Sequence, residues 1–169
     1  MDRITTIGGI QIPSSNPVFL AVVAIHILLG LACVASGALA MLSLKGPGRH
    51  PTAGTYYYRF MAGVFATAAA LSAMRWAEDY YLFILGSLAF VAVIVGRSAR
   101  RRRWSHWARW HISSMGASYI LLLTAFYVDN GRQLPLWRSL PEWTYWVLPV
   151  AAGTPLMIWA LWRHPRRAG

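Results

Sequence analysis

Apolar residues fall into five long stretches along the chain, separated by short polar or charged segments. The first stretch runs from Val18 to Leu44 without a charged residue, and its only strongly polar side chain is His26. A helix needs about 20 apolar residues to cross the roughly 30 Å hydrocarbon core of a bilayer. The pattern therefore predicts membrane-spanning helices at residues 18–44, 55–74, 80–96, 111–128 and 143–162.

The composition agrees with a membrane protein. The 169 residues are 57% hydrophobic and only 12% charged, whereas soluble domains carry about 25% charged residues. The N-terminus is polar and rich in Gly and Pro, so no cleaved signal peptide is expected. No internal repeat is visible. We therefore predict an all-α integral membrane helical bundle of about five transmembrane helices, forming a single membrane domain over residues 1–169.

The charges predict how the chain crosses the membrane. Lys and Arg, which mark the cytoplasmic side, concentrate in the first loop, the third loop and the C-terminal tail. The acidic residues lie in the other segments. This alternation predicts an N-terminus outside and a C-terminus in the cytoplasm. It also accounts for the net charge of +11, so no nucleic-acid partner is expected.

The third loop combines a run of arginines with regularly spaced tryptophans. Trp104, Trp107 and Trp110 recur every three residues, which predicts one face of a helix. Such a segment can lie at the membrane surface with its rings toward the lipid and its charges toward anionic headgroups. We expect a lipid-surface segment formed by Arg101, Arg102, Arg103, Trp104, Trp107 and Trp110.

Histidines provide the candidate chemistry. Haem b in a membrane protein takes two axial ligands at similar depth. His50 and His111 both lie at cytoplasmic ends of predicted spans, whereas His26 lies about 20 Å away along the membrane normal. His50 with His111 is therefore the candidate haem pair, and Met115 is an alternative soft ligand. Zinc is disfavoured because no acid and no HxxxH pair accompanies these histidines.

A second candidate site is an internal polar one. His26 shares a helix face with Gly30, Cys33 and Gly37, and this face is expected to point into the bundle. Small or hydroxyl-bearing residues also follow the other two histidines. The predicted intramembrane polar residues are His26, Tyr57, Ser114 and Ser118. His106 is expected at the interface and His164 in water.

Three segments together resemble a bacterial family of small predicted multi-pass membrane proteins of unknown function. In that family a histidine in an early helix is followed by an H-R-x-x-G-x-x-Y turn and an H-x-x-x-M segment. Here His50, Gly54 and Tyr57 fit the turn, with Pro51 in place of arginine, and His111 with Met115 fits the later segment. The resemblance implies a protein of the bacterial inner membrane in which the histidines matter, and it implies no particular reaction.

Three functional hypotheses follow. The first is a histidine-based module that binds haem or another small ligand. The second is a non-catalytic membrane component in which histidines fix helix packing and the Trp/Arg loop contacts lipid or a partner. The third is a transporter or proton relay, because an imidazole titrates near neutral pH. The common catalytic sequence motifs are missing, which favours the non-enzymatic hypotheses.

Overall fold

The computed structural model describes residues 5–7, 10–12 and 16–163, and five long helices account for most of them. They are α1 (Pro17–Leu42), α2 (Arg49–Met74), α3 (Trp76–Arg101), α4 (Trp107–Asn130) and α5 (Trp143–Trp162). A 3-10 helix, Gly131–Gln133, follows α4. Ahead of α1, the short strands β1 (Thr5–Ile7) and β2 (Ile10–Ile12) pair antiparallel. The predicted all-α class is confirmed, and each helix contains or closely overlaps one predicted span.

Four of the helices are long and apolar enough to cross a membrane. These are α1, α3, α4 with its 3-10 extension, and α5. Helix α2 has 26 residues, enough for a crossing, but Arg59 and three consecutive tyrosines lower its hydropathy. The length and composition of the helices thus support four of the five predicted spans.

The outer surface of α1 is the clearest sign of a lipid environment. Leu28, Leu31 and Leu42 have exposed fractions of 68%, 64% and 86%. A long helix with so many exposed apolar side chains is unfavourable in water. Soluble monomeric proteins rarely expose large contiguous apolar patches. In hydrocarbon the same side chains are well solvated. The chain is accordingly a multi-pass membrane protein.

The chain divides into two compact units, with the boundary inside α3. The first unit, residues 1–83, contains α1 and α2 packed antiparallel, which we call the first hairpin. Asn16 caps α1 by accepting a hydrogen bond from the Val18 amide at 2.9 Å, and Pro17 occupies the first helical position. Gly48, with φ of +106°, makes the turn into α2, a conformation that favours glycine.

Along the first hairpin, earlier residues of α1 contact later residues of α2, as expected for antiparallel helices. The loop-proximal contact joins His50 to Ala40, and a contact farther from the loop joins Thr67 to His26. Between them lie the Cys33 thiol, 3.8 Å from the Tyr57 carbonyl oxygen, and Leu29 against Gly63. Cys33, Tyr57 and Met61 are almost fully buried, so they form the centre of this helix pair.

The second unit, residues 84–169, contains the C-terminal part of α3 together with α4 and α5. We call residues 84–101 of α3 with α4 the second hairpin. Glycines allow close helix contacts here, because a Cβ atom at Gly96 would lie 3.0 Å from the Met115 sulfur and one at Gly153 would overlap Ile120. Helix α5 continues through Pro149 and Pro155 as one helical segment. The 3-10 helix begins at Gly131, which packs against the Tyr145 ring of α5.

Candidate functional site: histidines at helix–helix contacts

His50 lies in the first turn of α2 and is anchored to α1. Its Nδ1 is 2.8 Å from the Ala40 carbonyl oxygen. A carbonyl only accepts hydrogen bonds, so Nδ1 carries a proton, and in the neutral ring the lone pair is on Nε2. The Lys45 ammonium also donates to Ala40 and, at 2.8 Å, to the Met41 carbonyl. Burial lowers the pKa of Lys45. Together the two side chains satisfy carbonyls at the α1 C-terminus that lack helical partners.

His111 repeats this arrangement in the second unit. It lies in the second turn of α4, and its Nδ1 is 2.9 Å from the Gly96 carbonyl oxygen near the end of α3. The Met115 thioether packs against Gly96, so this predicted soft ligand takes part in helix packing. The lack of a side chain at Gly96 lets the two helices approach closely at this contact. We refer to His50 and His111 as the helix-entry histidines.

His26 makes a different contact, deep within α1. Its Nδ1 lies 2.8 Å from the Thr67 hydroxyl oxygen of α2. That hydroxyl also lies within hydrogen-bond distance of two carbonyls of its own helix, those of Gly63 and Val64. With the hydroxyl proton donated to its own helix, the Thr67 oxygen accepts from the His26 ring. Two polar side chains thereby satisfy each other inside an apolar helix pair.

The positions along α1 separate His26 from the helix-entry contact. Ala40, which accepts from His50, follows His26 by fourteen residues, or about 21 Å at the 1.5 Å rise of a helix. His26 and the His50 contact therefore lie about 21 Å apart along α1, close to the separation of about 20 Å expected from the sequence. A single small ligand cannot contact both imidazoles.

The other predicted polar residues are buried, and they belong to different units. Tyr57 is buried in the first unit, and Ser114 and Ser118 are buried in the second. Ser118 donates to the Met115 carbonyl of its own helix at 2.7 Å. Cys33 is fully buried, which confirms that this part of the His26 face turns toward α2. Within the described ranges, no three His, Cys, Asp or Glu side chains are grouped as metal ligands.

The third loop differs from its predicted form. Arg103 and His106 have positive φ angles of 51° and 57°, which interrupt helical structure between α3 and α4. Trp104 consequently lies outside any helix, and the prediction that three tryptophans share one helical face is wrong. Instead Trp104 meets Trp110 edge to face, with ring centroids 6.2 Å apart. The Arg103 guanidinium lies 5.2 Å from the Trp107 ring centroid.

Arginine and tryptophan nevertheless remain accessible in this loop. Arg101, Arg102 and Arg103 are all exposed, and the exposed fractions of Trp104 and Trp110 are 37% and 52%. His106 is exposed as well, whereas His164 lies outside the described residues. The exposed residues leave the predicted contact with lipid headgroups sterically open.

Thr67 and Gly96, the partners of two histidines, are not among the residues predicted from the sequence. A signal for Thr67 does exist in the chain. If α1 and α2 are paired antiparallel about a short loop, residues equally distant from that loop face each other, and Thr67 then falls close to His26. No comparable signal marks Gly96, because its contribution is a main-chain oxygen.

The fold and these contacts define a helical multi-pass membrane protein with histidines at its helix contacts. Comparisons of the chain with family models, with curated proteins and with solved structures found no match. The function is therefore inferred from the geometry of the described residues.

Proposed function

We propose that this chain is a non-catalytic, multi-pass protein of the bacterial inner membrane. In this proposal, histidines fix its helix pairs and its basic third loop contacts anionic lipid headgroups. One observation carries the first part: His26, His50 and His111 each direct Nδ1 to an atom of a neighbouring helix at 2.8–2.9 Å. The exposed arginines and tryptophans of the loop support the second part.

The topology proposed for the chain keeps five crossings. Helix α2 is the least apolar, but it runs beside α1 from the Ala40 contact to the His26 contact. These contacts span about 21 Å of α1, most of the hydrocarbon thickness. A crossing by α1 therefore brings α2 across with it. Five crossings with the third loop in the cytoplasm agree with the distribution of Arg and Lys.

Reporter fusions test this topology. A phosphatase reporter, active only in the periplasm, is expected to be active when fused after Met74 and inactive when fused after Arg101. A fluorescent reporter that matures only in the cytoplasm should give the opposite results. Periplasmic activity after Arg101 would overturn the orientation.

Binding of haem b is a second candidate function, favoured by one specific observation. A hydrogen bond from Nδ1–H to a main-chain carbonyl is the usual outer contact of metal-bound histidines, because it orients the ring and leaves Nε2 as the ligand atom. His50 and His111 both have this contact. Each histidine, within its own unit, therefore has the outer contact of a metal ligand, and haem would supply electron-transfer chemistry.

An absorption spectrum decides between the two functions. The purified chain is measured oxidised and reduced, after expression with added haem precursor. The non-catalytic proposal expects no Soret band and no iron. A Soret band with a reduced α band, lost in His50→Ala or His111→Ala variants that still elute as folded protein, would establish haem binding.

The resemblance to the bacterial family supports the localisation and gives no reaction. His50, Gly54, Tyr57, His111 and Met115 occupy the positions of its motifs. Three of these five residues, His50, His111 and Met115, form or pack against the helix-entry contacts. We propose that the motif residues maintain those contacts.

A further inference from the structure

A groove of about 510 Å³ lies beside the first turns of α4. His106, Arg109, Trp110 and Ser113 line it. Arg109, Trp110 and Ser113 lie on one face of α4, and His106 directly precedes the helix. The groove therefore combines a guanidinium, an imidazole, a hydroxyl and an indole ring at the cytoplasmic end assigned to this helix.

Each polar side chain of the groove can donate a hydrogen bond. Arg109 is exposed and presents the planar guanidinium that pairs with phosphate through two parallel hydrogen bonds. The Ser105 hydroxyl lies 2.9 Å from Nδ1 of His106, and with that hydroxyl as donor the ring carries its proton on Nε2. Within the described part of the chain no acidic residue lines the groove, so its charge is complementary to an anion.

Trp110 adds a feature that free anions do not require. Its indole ring is half exposed beside the donors. Such a ring is stable at the boundary between headgroups and acyl chains. A phosphate that carries acyl chains would match both kinds of lining residue.

A similar groove of about 330 Å³ occurs at the start of α2, in the other unit. Pro51, Thr52, Thr55, Tyr56 and Arg59 line it. It again combines one arginine, one amphipathic aromatic ring and hydroxyl groups near the start of a helix that follows a basic loop. An arginine, an aromatic ring and hydroxyl groups therefore line a groove at the start of both α2 and α4.

We propose that the α4 groove binds the phosphate of an anionic phospholipid headgroup, with Arg109 as its main ligand. The proposal rests on the proposed lipid contact of the third loop and makes it specific to one site. Lipid bound there would hold the start of α4, including His111, at a fixed depth. Inorganic phosphate has the same hydrogen-bond acceptors as the headgroup phosphate. The experiment must therefore distinguish binding of free phosphate from binding of lipid.

Native mass spectrometry of the full chain in detergent tests the groove. Dioleoylphosphatidylglycerol or dioleoylphosphatidylcholine is added, and the lipid-bound fraction is recorded for wild type, Arg109→Gln and Arg100→Gln. Arg100 matches Arg109 in charge and belongs to the same basic region, but it does not line the groove. We expect wild type to prefer phosphatidylglycerol, and Arg109→Gln to reduce that preference about tenfold. Arg100→Gln should change it about twofold or less.

Each alternative result has a distinct meaning. Equal losses in both variants would overturn the groove and leave the general lipid contact of the loop intact. An absence of headgroup preference in wild type would overturn the groove and the proposed lipid contact together. Displacement of the phospholipid by millimolar inorganic phosphate would overturn the assignment to lipid. Size-exclusion profiles confirm that each variant is folded.

Discussion

The first and second hairpins contain the same histidine contact, but the buried residues around it differ in type. In both, a histidine near the start of the later helix donates from Nδ1 to a carbonyl near the end of the earlier one. Buried residues then follow at the same offsets of three, seven and eleven positions. They are Ala53, Tyr57 and Met61 after His50, and Ser114, Ser118 and Leu122 after His111. The repeated arrangement is visible only in three dimensions, because the residue types at these offsets differ.

The two hairpins differ in how they pack away from the helix-entry contact. The first contains a second histidine, His26, bonded to Thr67, and a buried tyrosine. The second packs through Gly96 against Met115. The helix-entry histidines thus serve packing common to both hairpins. The His26–Thr67 contact is an additional polar contact in the first.

The largest expected effect comes from filling the glycine contact of the second hairpin. Gly96→Val places methyl groups against Met115 and the Ser114 Cβ atom, which lies 3.2 Å from where the new Cβ would stand and cannot turn away. Overpacking of this kind costs about 1–3 kcal/mol. The matched change in the first hairpin, Gly63→Val, meets the flexible end of Leu29 at 3.0 Å and should cost less.

Unfolding by SDS in mixed micelles, followed by tryptophan fluorescence, gives both free energies. Gly30→Ala serves as the control, because no atom lies within 4 Å of its added Cβ. A loss for Gly63→Val equal to or larger than that for Gly96→Val would contradict the contrast drawn between the two hairpins.

The next effect concerns the helix-entry histidines themselves. His50→Ala and His111→Ala are each expected to lower the free energy of unfolding by about 0.6–1.7 kcal/mol, the range of hydrogen bonds between membrane helices. Asparagine places an amide N–H near the position of Nδ1, so His→Asn should recover much of the loss. Glutamine extends its amide toward the position of Nε2 and should recover little.

The Asn and Gln variants separate packing from ligand binding. A packing role requires the Asn variants to be more stable than the Ala variants at both positions. If Asn and Ala variants unfold alike in both hairpins, the Nδ1 contacts contribute nothing measurable, and the packing role is excluded.

A smaller effect is expected for His26 and Thr67 as a pair. Each single variant, His26→Leu and Thr67→Val, leaves a polar side chain without its partner, whereas the double variant removes both groups. The double-mutant cycle should therefore show a coupling free energy of about 0.6 kcal/mol or more. Additive losses within about 0.3 kcal/mol would mean that the contact does not distinguish the first hairpin energetically.

Much of the helical architecture was predictable from apolar runs, but the helix ends were not. Helix α2 begins at Arg49, ahead of the predicted residue 55, because Pro51 is compatible with the first turn of a helix. Hydropathy detects only residues that contact hydrocarbon. The polar first turns, which contain His50 and precede His111, extend beyond that region.

The histidines could be identified from the sequence, whereas their partners could not. Two of the three acceptors are main-chain oxygens, and every residue has one. The shared helical face of the three tryptophans was predicted wrongly, because Arg103 and His106 adopt positive φ angles, which are uncommon for residues other than glycine and are not marked by the spacing. Spacing alone therefore predicted a helix where the chain turns.

The smallest expected effects come from one ion pair in each unit. Arg75 and Asp79 are 3.9 Å apart with side-chain exposures of 25% and 18%, and the Arg75 guanidinium also lies 6.0 Å from the Phe19 ring centroid. Arg132 and Glu142 pair with exposures of 72% and 67%. Exposed pairs contribute about 0–1 kcal/mol and are screened by salt, whereas partly buried pairs are screened less.

Arg75→Gln should therefore destabilise the protein more than Arg132→Gln. Raising NaCl from about 0.05 to about 0.5 M, values chosen to change the Debye length about threefold, should abolish only the Arg132 effect. SDS unfolding at both salt concentrations measures this, and equal salt sensitivity of the two variants would show that solvent reaches both pairs alike.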